Sequence, residues 1–184
     1  MKNYKIALLA GDGIGPEIMQ EAVKVLQLVE ERNDVSFELI HADFGASAYF
    51  KCGHPFPDET KAICDEADAI IKGPIGLSHE ESQKIPLDML PERGALLPLR
   101  ARYNTFANFR PVFLPKSLGH FSPLKPEIIG DGIDIIMVRE LVGGLYFGEK
   151  ETGVNEQGLR YVKESLEYDE AQIRRIMHEA FKLS

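Results

Sequence analysis

The sequence predicts an α/β chain in two parts, a sheet with crossover helices followed by a strand-rich region. Three observations carry this. Before Arg100, short apolar runs alternate with helical patterns, the rhythm of a sheet crossed by helices. After Arg100 the apolar runs lengthen, with only loops between them, and the chain closes on a helical pattern. The boundary falls between 1–99 and 100–184, without a flexible linker. A length of 184 residues suits one large domain or parts of two. With 44% hydrophobic and 27% charged residues, the chain can build a real core.

"YKIALLA" reads as a buried strand feeding the loop "GDGIGP". Pro16 then suits the first turn of a helix. Ile18, Ala22, Val25, Leu26 and Val29 follow at helical spacing and form its expected inner stripe. "VSFELIHA" alternates like a strand, "CGHPFPDET" opens a second helix through Ala62 and Ile63, and "ADAIIKGPIG" is a third apolar run. Beyond the boundary, "TFANFRPVFL" and "IDIIMVRELVGGLYFG" read as long strands and "GLRYVKESLEY" as a further one. The closing helix has Asp169 as its N-cap and Ile173, Ile176, Met177, Ala180 and Phe181 as its inner stripe.

Composition narrows the partners. A formal charge of −8 argues against nucleic acid, which is bound mainly by Lys and Arg. Cys52 and Cys64 are too few for a disulfide framework and lack zinc spacing, and they are expected to be reduced cytosolic residues. The five histidines have no metal-ligand spacing either. No apolar run reaches transmembrane length, so the expectation is a soluble, cytoplasmic protein.

Three constellations bear on chemistry. "GDGIGPE" lies between a strand and a helix, but Pro16 stands where the dinucleotide fingerprint needs its third glycine. The loop serves either as tight turns alone or as a ligand contact through exposed N–H groups. Arg100, Arg110 and Arg139 sit among apolar residues, the last two at the ends of strands expected to be buried. Buried guanidinium groups need negative partners. Glu140 is a poor one for Arg139, because adjacent strand residues point to opposite faces. Two readings stay open: salt bridges to acids such as Asp88 and Glu92, the commoner arrangement, or convergence on a di- or tricarboxylate gripped by planar guanidinium forks. Tyr146 in "GGLYFG" is either a core or interface tyrosine or a proton donor.

Taken in order, "KIALLAGDGIGPE", "PERGALLPLR", "FANFRP", "SPLK" and "DIIMVRELVGGLYFG" resemble the 3-isopropylmalate dehydrogenases. These belong to the isocitrate/isopropylmalate β-decarboxylating dehydrogenase family, which also holds homoisocitrate and tartrate/malate enzymes. The similarity covers almost the whole chain, and "PERGALLPLR" leans toward the isopropylmalate branch. The resemblance implies that family's fold, with this chain as its amino-terminal half. Residues 1–99 would be part of a first, cofactor-side domain and 100–184 part of a second, substrate-binding and dimer-forming one. It implies NAD-dependent oxidation of a 2-hydroxy acid followed by loss of carbon dioxide, as in leucine biosynthesis. Arg100, Arg110 and Arg139 match the arginines that bind substrate carboxylates. Tyr146 matches the tyrosine that protonates the enolate. Glu92, Leu96 and Leu97 match the segment facing the substrate side chain, and Ile14, Gly73, Pro74, Ile75 and Gly76 match regions lining the nicotinamide pocket.

Two departures accompany the resemblance. After "KGPIG" the family continues with a glycine-proline-lysine-tryptophan pattern, whereas this chain has "LSHEESQKIP" and no tryptophan. The family also runs on for about as much chain again, carrying a catalytic lysine, three aspartates that hold Mg²⁺ or Mn²⁺, and most of the dinucleotide-binding loop. The 184 residues alone are therefore expected to be catalytically incomplete and to act as a homodimer or with a complementing carboxy-terminal portion. The alternatives are a non-catalytic carboxylate-binding or subunit-interaction module, or part of a dehydrogenase for malate, tartrate, isocitrate or homoisocitrate. Leu96 and Leu97 favour an isopropyl group over a further carboxylate, since burying such a group contributes roughly 1.5–3 kcal/mol. Like-charge repulsion from Glu92 also disfavours a third carboxylate.

Overall fold

The computed structural model describes residues 2–184. They separate into two compact units, one ending at Leu99 and the other running from Arg100 to Ser184.

In the first unit, β1 (Lys2–Leu9) is the middle strand of a three-stranded parallel sheet, between β2 (Val35–Ala42) and β3 (Ala69–Lys72). Parallel neighbours need crossovers. Here α1 (Gly15–Arg32) links β1 to β2, while α2 (Ala46–Cys52) and α3 (Asp58–Glu66) link β2 to β3. Ile6, Ala7, Leu8 and Leu9 are all buried, so β1 is covered on both faces, as its unbroken apolar run anticipates. Ile6 and Leu8 pack on Met19, with Val23, Leu39 and Ile71 around them. Short helices follow, α4 (His79–Ser82) and then α5 (Leu97–Arg102), which continues a π turn over Pro91–Leu96.

The expected stripe on α1 is corrected. Its inner face is Met19 with the half-buried Ala22, Val23 and Leu26, whereas Ile18, Val25 and Val29 are exposed. The helix carries apolar residues on two adjacent stripes, and only the sheet beneath decides which one turns inward. Helix α2 was not anticipated. It is short, and it ends on Gly53 at φ 81°, a left-handed stop that glycine adopts without strain.

In the second unit, β4 (Ala107–Pro115) pairs antiparallel with β5 (Gly132–Glu140), and β6 (Lys150–Val154) with β7 (Arg160–Glu164). A short α6 (Pro126–Ile129) precedes β5, and α7 (Glu170–Leu183) ends the chain. Asp169 does cap α7: its Oδ1 accepts the Gln172 N–H at 2.7 Å, and Gln172 Oε1 accepts the Asp169 N–H at 3.1 Å.

Three expectations fail here. β4 and β5 are not buried, because they form a sheet of only two strands that α7 and the turn at Lys116–Phe121 cover in part; Phe113 is 70% and Ile135 54% exposed. β5 stops at Glu140 instead of running through "GGLYFG", since Glu140 Oε2 accepts the N–H groups of Val142 and Gly143 at 2.9 and 2.8 Å and turns the chain. On α7 only Ile176 and Ala180 of the expected stripe lie inward, beside Gln172 and Arg175, whereas Ile173, Met177 and Phe181 are exposed.

Candidate active site: an arginine cluster in the second unit

The register of β4 against β5 sets Arg110 opposite Met137 and Asn108 opposite Arg139. Opposed residues of an antiparallel pair share a face, as do residues two apart on one strand. Arg110 and Arg139 are therefore diagonal neighbours on the same face. Arg110 Nε donates to Asn108 Oδ1 at 2.7 Å. Arg139 Nη2 donates to Tyr146 Oη at 2.9 Å, and the guanidinium carbon lies 5.5 Å from the tyrosine ring centre. Tyr146 stands on a single 3₁₀ turn, Gly144–Tyr146.

Arg100, on α5, is half-buried. Burial holds its guanidinium below the ordinary range, and the positive charge of Arg139 pushes the same way; Tyr146 opposes this, and Arg110 adds a smaller downward push. Arg100 thus lies within electrostatic reach of the other two. Among the described residues, no carboxylate pairs with any of the three. The salt-bridge reading left open by the residue pattern therefore does not hold for them. Arg139 and Arg110 are also exposed, not buried at strand ends as expected, because the two-stranded sheet has no cover on that face.

Arg110, Arg139, Glu140, Tyr146, Leu166 and Tyr168 line a cavity of about 630 Å³, although Glu140 is engaged by Arg175 and the Val142 and Gly143 N–H groups. Leu166 and Tyr168 escaped the sequence reading. They arrive from the segment between β7 and α7, and no local pattern marks them. One indirect sign is the glycine pair before Tyr146. Gly144 has φ +68°, and a Cβ there would come within 2.3 Å of Tyr168 Oη.

The arrangement can hold an anion and a proton together. A guanidinium has only donors, so Tyr146 Oη must accept from Arg139, which leaves the phenolic hydrogen directed elsewhere.

In the first unit, Ile14 follows β1, and Gly73, Pro74, Ile75 and Gly76 follow β3, its hydrogen-bonded neighbour. Both loops lie at the carboxyl edge of a parallel sheet, the usual ligand position in open α/β folds. They are stitched together. The Asp12 N–H donates to Pro74 O at 2.8 Å, and the buried Asp12 carboxylate accepts the N–H groups of Ala46, Ser47 and Gly76 at 3.0, 2.8 and 3.0 Å. A Cβ on Gly11 would fall 2.0 Å from Pro74 O, so only glycine permits this approach. Asp12 is not marked in the sequence beyond being a lone acid between glycines. Ile14 is 60% exposed, and Gly13 and Gly76 face open space. Glu92 is exposed and Leu96 and Leu97 are half-buried, on the π turn where Glu92 O accepts the Leu97 N–H. Such turns recur at functional sites. No group of three or more His, Cys, Asp or Glu side chains suited to a metal ion occurs among the described residues.

With this geometry established, comparison with known proteins is decisive. The family model for isocitrate/isopropylmalate dehydrogenase matches residues 5–184. The chain belongs to that family. It is 44% identical over 182 residues to the 3-isopropylmalate dehydrogenase of Campylobacter jejuni, covering 99% of this chain and 49% of that protein. It is 42% identical over 180 residues to the enzyme of the same name from Thermotoga maritima, covering 98% and 49%. The crystal structure of isocitrate dehydrogenase from Methylococcus capsulatus superposes with a TM-score of 0.71 over 98% of this chain and 47% of that one; at 24% identity it speaks to the fold alone. The fold is thus that of the isopropylmalate/isocitrate dehydrogenases, and the chain spans about half the length of the curated relatives it matches. Among the described residues, no helix is long and apolar enough to cross a membrane.

Proposed function

We propose that this chain carries the substrate-carboxylate site of an NAD-dependent 3-isopropylmalate dehydrogenase. The observation that supports it most is Arg110 and Arg139 on one face of the β4–β5 sheet beside Tyr146, with Arg100 within their electrostatic reach and, among the described residues, no carboxylate paired to any of the three. Three mutually repelling cations are costly to gather unless an anion is meant to join them. A dicarboxylate offers two planar groups, and arginine grips each through parallel hydrogen bonds. The 2-hydroxy diacid is oxidised and then loses its neighbouring carboxylate as carbon dioxide. In this reading the arginines bind and orient the acid, and Tyr146 holds at Oη the proton delivered to the enolate carbon. Leu96 and Leu97 offer hydrocarbon to an isopropyl group.

NAD, when bound, supplies the hydride acceptor. Ile14 and the turn Gly73–Gly76 would flank its ring, because the exposed Ile14 and the open space at Gly13 and Gly76 leave room for one. The described residues do not fit a divalent ion, so no step is routed through one. Exposed Phe109, Phe113, Ile135 and Met137 on the β4–β5 sheet, with Val154 and Val162 on the β6–β7 hairpin, support association into a homodimer or with a complementing segment.

Calorimetric titration of the 184-residue chain with D-3-isopropylmalate tests the reading. Arg110→Ala is expected to weaken binding about tenfold or more, the scale of one lost charge-assisted hydrogen bond. Absence of binding by the unchanged chain, or equal binding by the variant, would overturn it. Catalytic incompleteness has its own check. With NAD, Mg²⁺ and D-3-isopropylmalate, formation of reduced cofactor by this chain is expected to fall far below that of full-length relatives, and comparable turnover would refute it.

A further inference from the structure

We propose that Arg175 is a positioning residue for the arginine site, acting through Glu140 and Asn104. The proposal deepens the function proposed above and rests on it for the identity of the ligand. It starts from where the guanidinium reaches. Nη2 donates to Glu140 Oε1 at 2.9 Å, and Nη1 donates to Asn104 Oδ1 at 3.0 Å. The guanidinium carbon lies 4.6 Å from the centre of the Phe106 ring. One side chain of α7 therefore touches the turn between α5 and β4 and the end of β5.

Those are the segments that carry the site. Asn104 lies between Arg100 and Arg110, at φ 47°, a left-handed conformation that asparagine tolerates better than most residues but that still needs support. Glu140 directly follows Arg139 at the last position of β5, and both border the cavity, so the hydrogen bond from Arg175 to Glu140 Oε1 fastens the strand end beside Arg139. The second Glu140 oxygen holds the Val142 and Gly143 N–H groups and so fixes the turn leading to Tyr146. Arg175 thus ties down the backbone on which all three arginines and the tyrosine stand.

Mere stability is a poor explanation for the pair. Glu140 is 9% and Arg175 27% exposed at the side chain, and charges withdrawn from water repay their desolvation poorly. Arg175 Nε is buried with no hydrogen-bond partner among the described residues, a further cost. An apolar contact would secure α7 more cheaply, but it would not aim two N–H groups and an asparagine. Direction is what the charged network supplies.

The test uses the whole chain with three variants, Arg175→Met, Arg175→Lys and Glu140→Gln, and Arg174→Met as control. Arg174 is the preceding residue, and among the described residues it makes a solvent-exposed pair with Glu170. Affinity for D-3-isopropylmalate is read by calorimetry, and hydrogen exchange at the Val142 and Gly143 amides by NMR. Arg175→Met is expected to weaken binding about tenfold and to speed exchange at both amides. Arg175→Lys should restore part of each, Glu140→Gln should fall between, and the control should change neither. A folded Arg175→Met with unchanged affinity, while Arg110→Ala loses it, overturns the proposal. So does unchanged exchange. If Arg175→Met does not fold, the two milder variants decide by the same criteria. If the unchanged chain binds no isopropylmalate, the functional reading falls, and faster exchange in the variants alone decides whether Arg175 positions this turn.

Discussion

The first unit buries an apolar core, whereas the second leaves most of its large apolar residues exposed. In the first, β1 is covered on both faces, Phe44 and Phe56 meet edge-on at 5.4 Å, and the loops beyond the sheet are tied through Asp12. In the second, two-stranded sheets leave Phe113, Val162 and Phe181 largely in solvent, and only Ile129 and Leu141 are buried hydrophobics. The cations follow the same division. An unpaired arginine cluster would be hard to keep inside a sealed parallel sheet, where each charge needs an internal partner. On the open β4–β5 ribbon water screens Arg110 and Arg139, while Arg100 stands half-buried on α5. In the proposed reading, the less self-sufficient unit is the one that holds the substrate's charge.

The sharpest way to break this comparison is to cut into the sealed core. Leu8 is fully buried against Ile6 and Met19. Leu8→Ala removes most of that side chain where the sheet and α1 cannot collapse freely, and a loss of about 3 kcal/mol is expected. Chemical denaturation followed by circular dichroism reads it. A change below about 1 kcal/mol would show that the first unit is not held by its sheet in the way its burial indicates.

What could be read in advance follows the same line. Local signals were legible: the apolar run of β1, Pro16 at the start of α1, and Asp169 as the cap of α7. Each is decided within a few residues. The inner faces of α1 and α7 were misread because both helices carry more apolar surface than one stripe, and packing chooses among stripes. β4 and β5 looked buried because apolar composition does not reveal how many strands share a sheet. For the site, the arginines were picked out by their odd company, but the residue pattern alone left salt bridges open. It left a bound dicarboxylate open as well, the resemblance favoured that reading, and among the described residues no carboxylate pairs with the three arginines. Asp12, Tyr168 and the Glu140–Arg175 pair lay beyond reach, since their partners are distant in sequence and chemically ordinary.

The smallest expected effect on folding falls on the exposed ribbon, and it sharpens the contrast most. Phe113 is 70% exposed and stands opposite Asp134 on β5, so within this unit its ring has little apolar company. Phe113→Ser is therefore expected to change the stability of the isolated chain by less than about 0.5 kcal/mol, as for surface positions generally. If the open apolar faces serve association, as the homodimer reading holds, the same change should lower the mass measured by sedimentation at a given protein concentration. Unfolding on the scale of Leu8→Ala would mean that the ribbon is an internal core, and unchanged mass would remove Phe113 from any interface. A near-neutral melt with weakened association would instead show that the two units solve one problem differently, the first by covering its hydrocarbon itself and the second by leaving it for a partner.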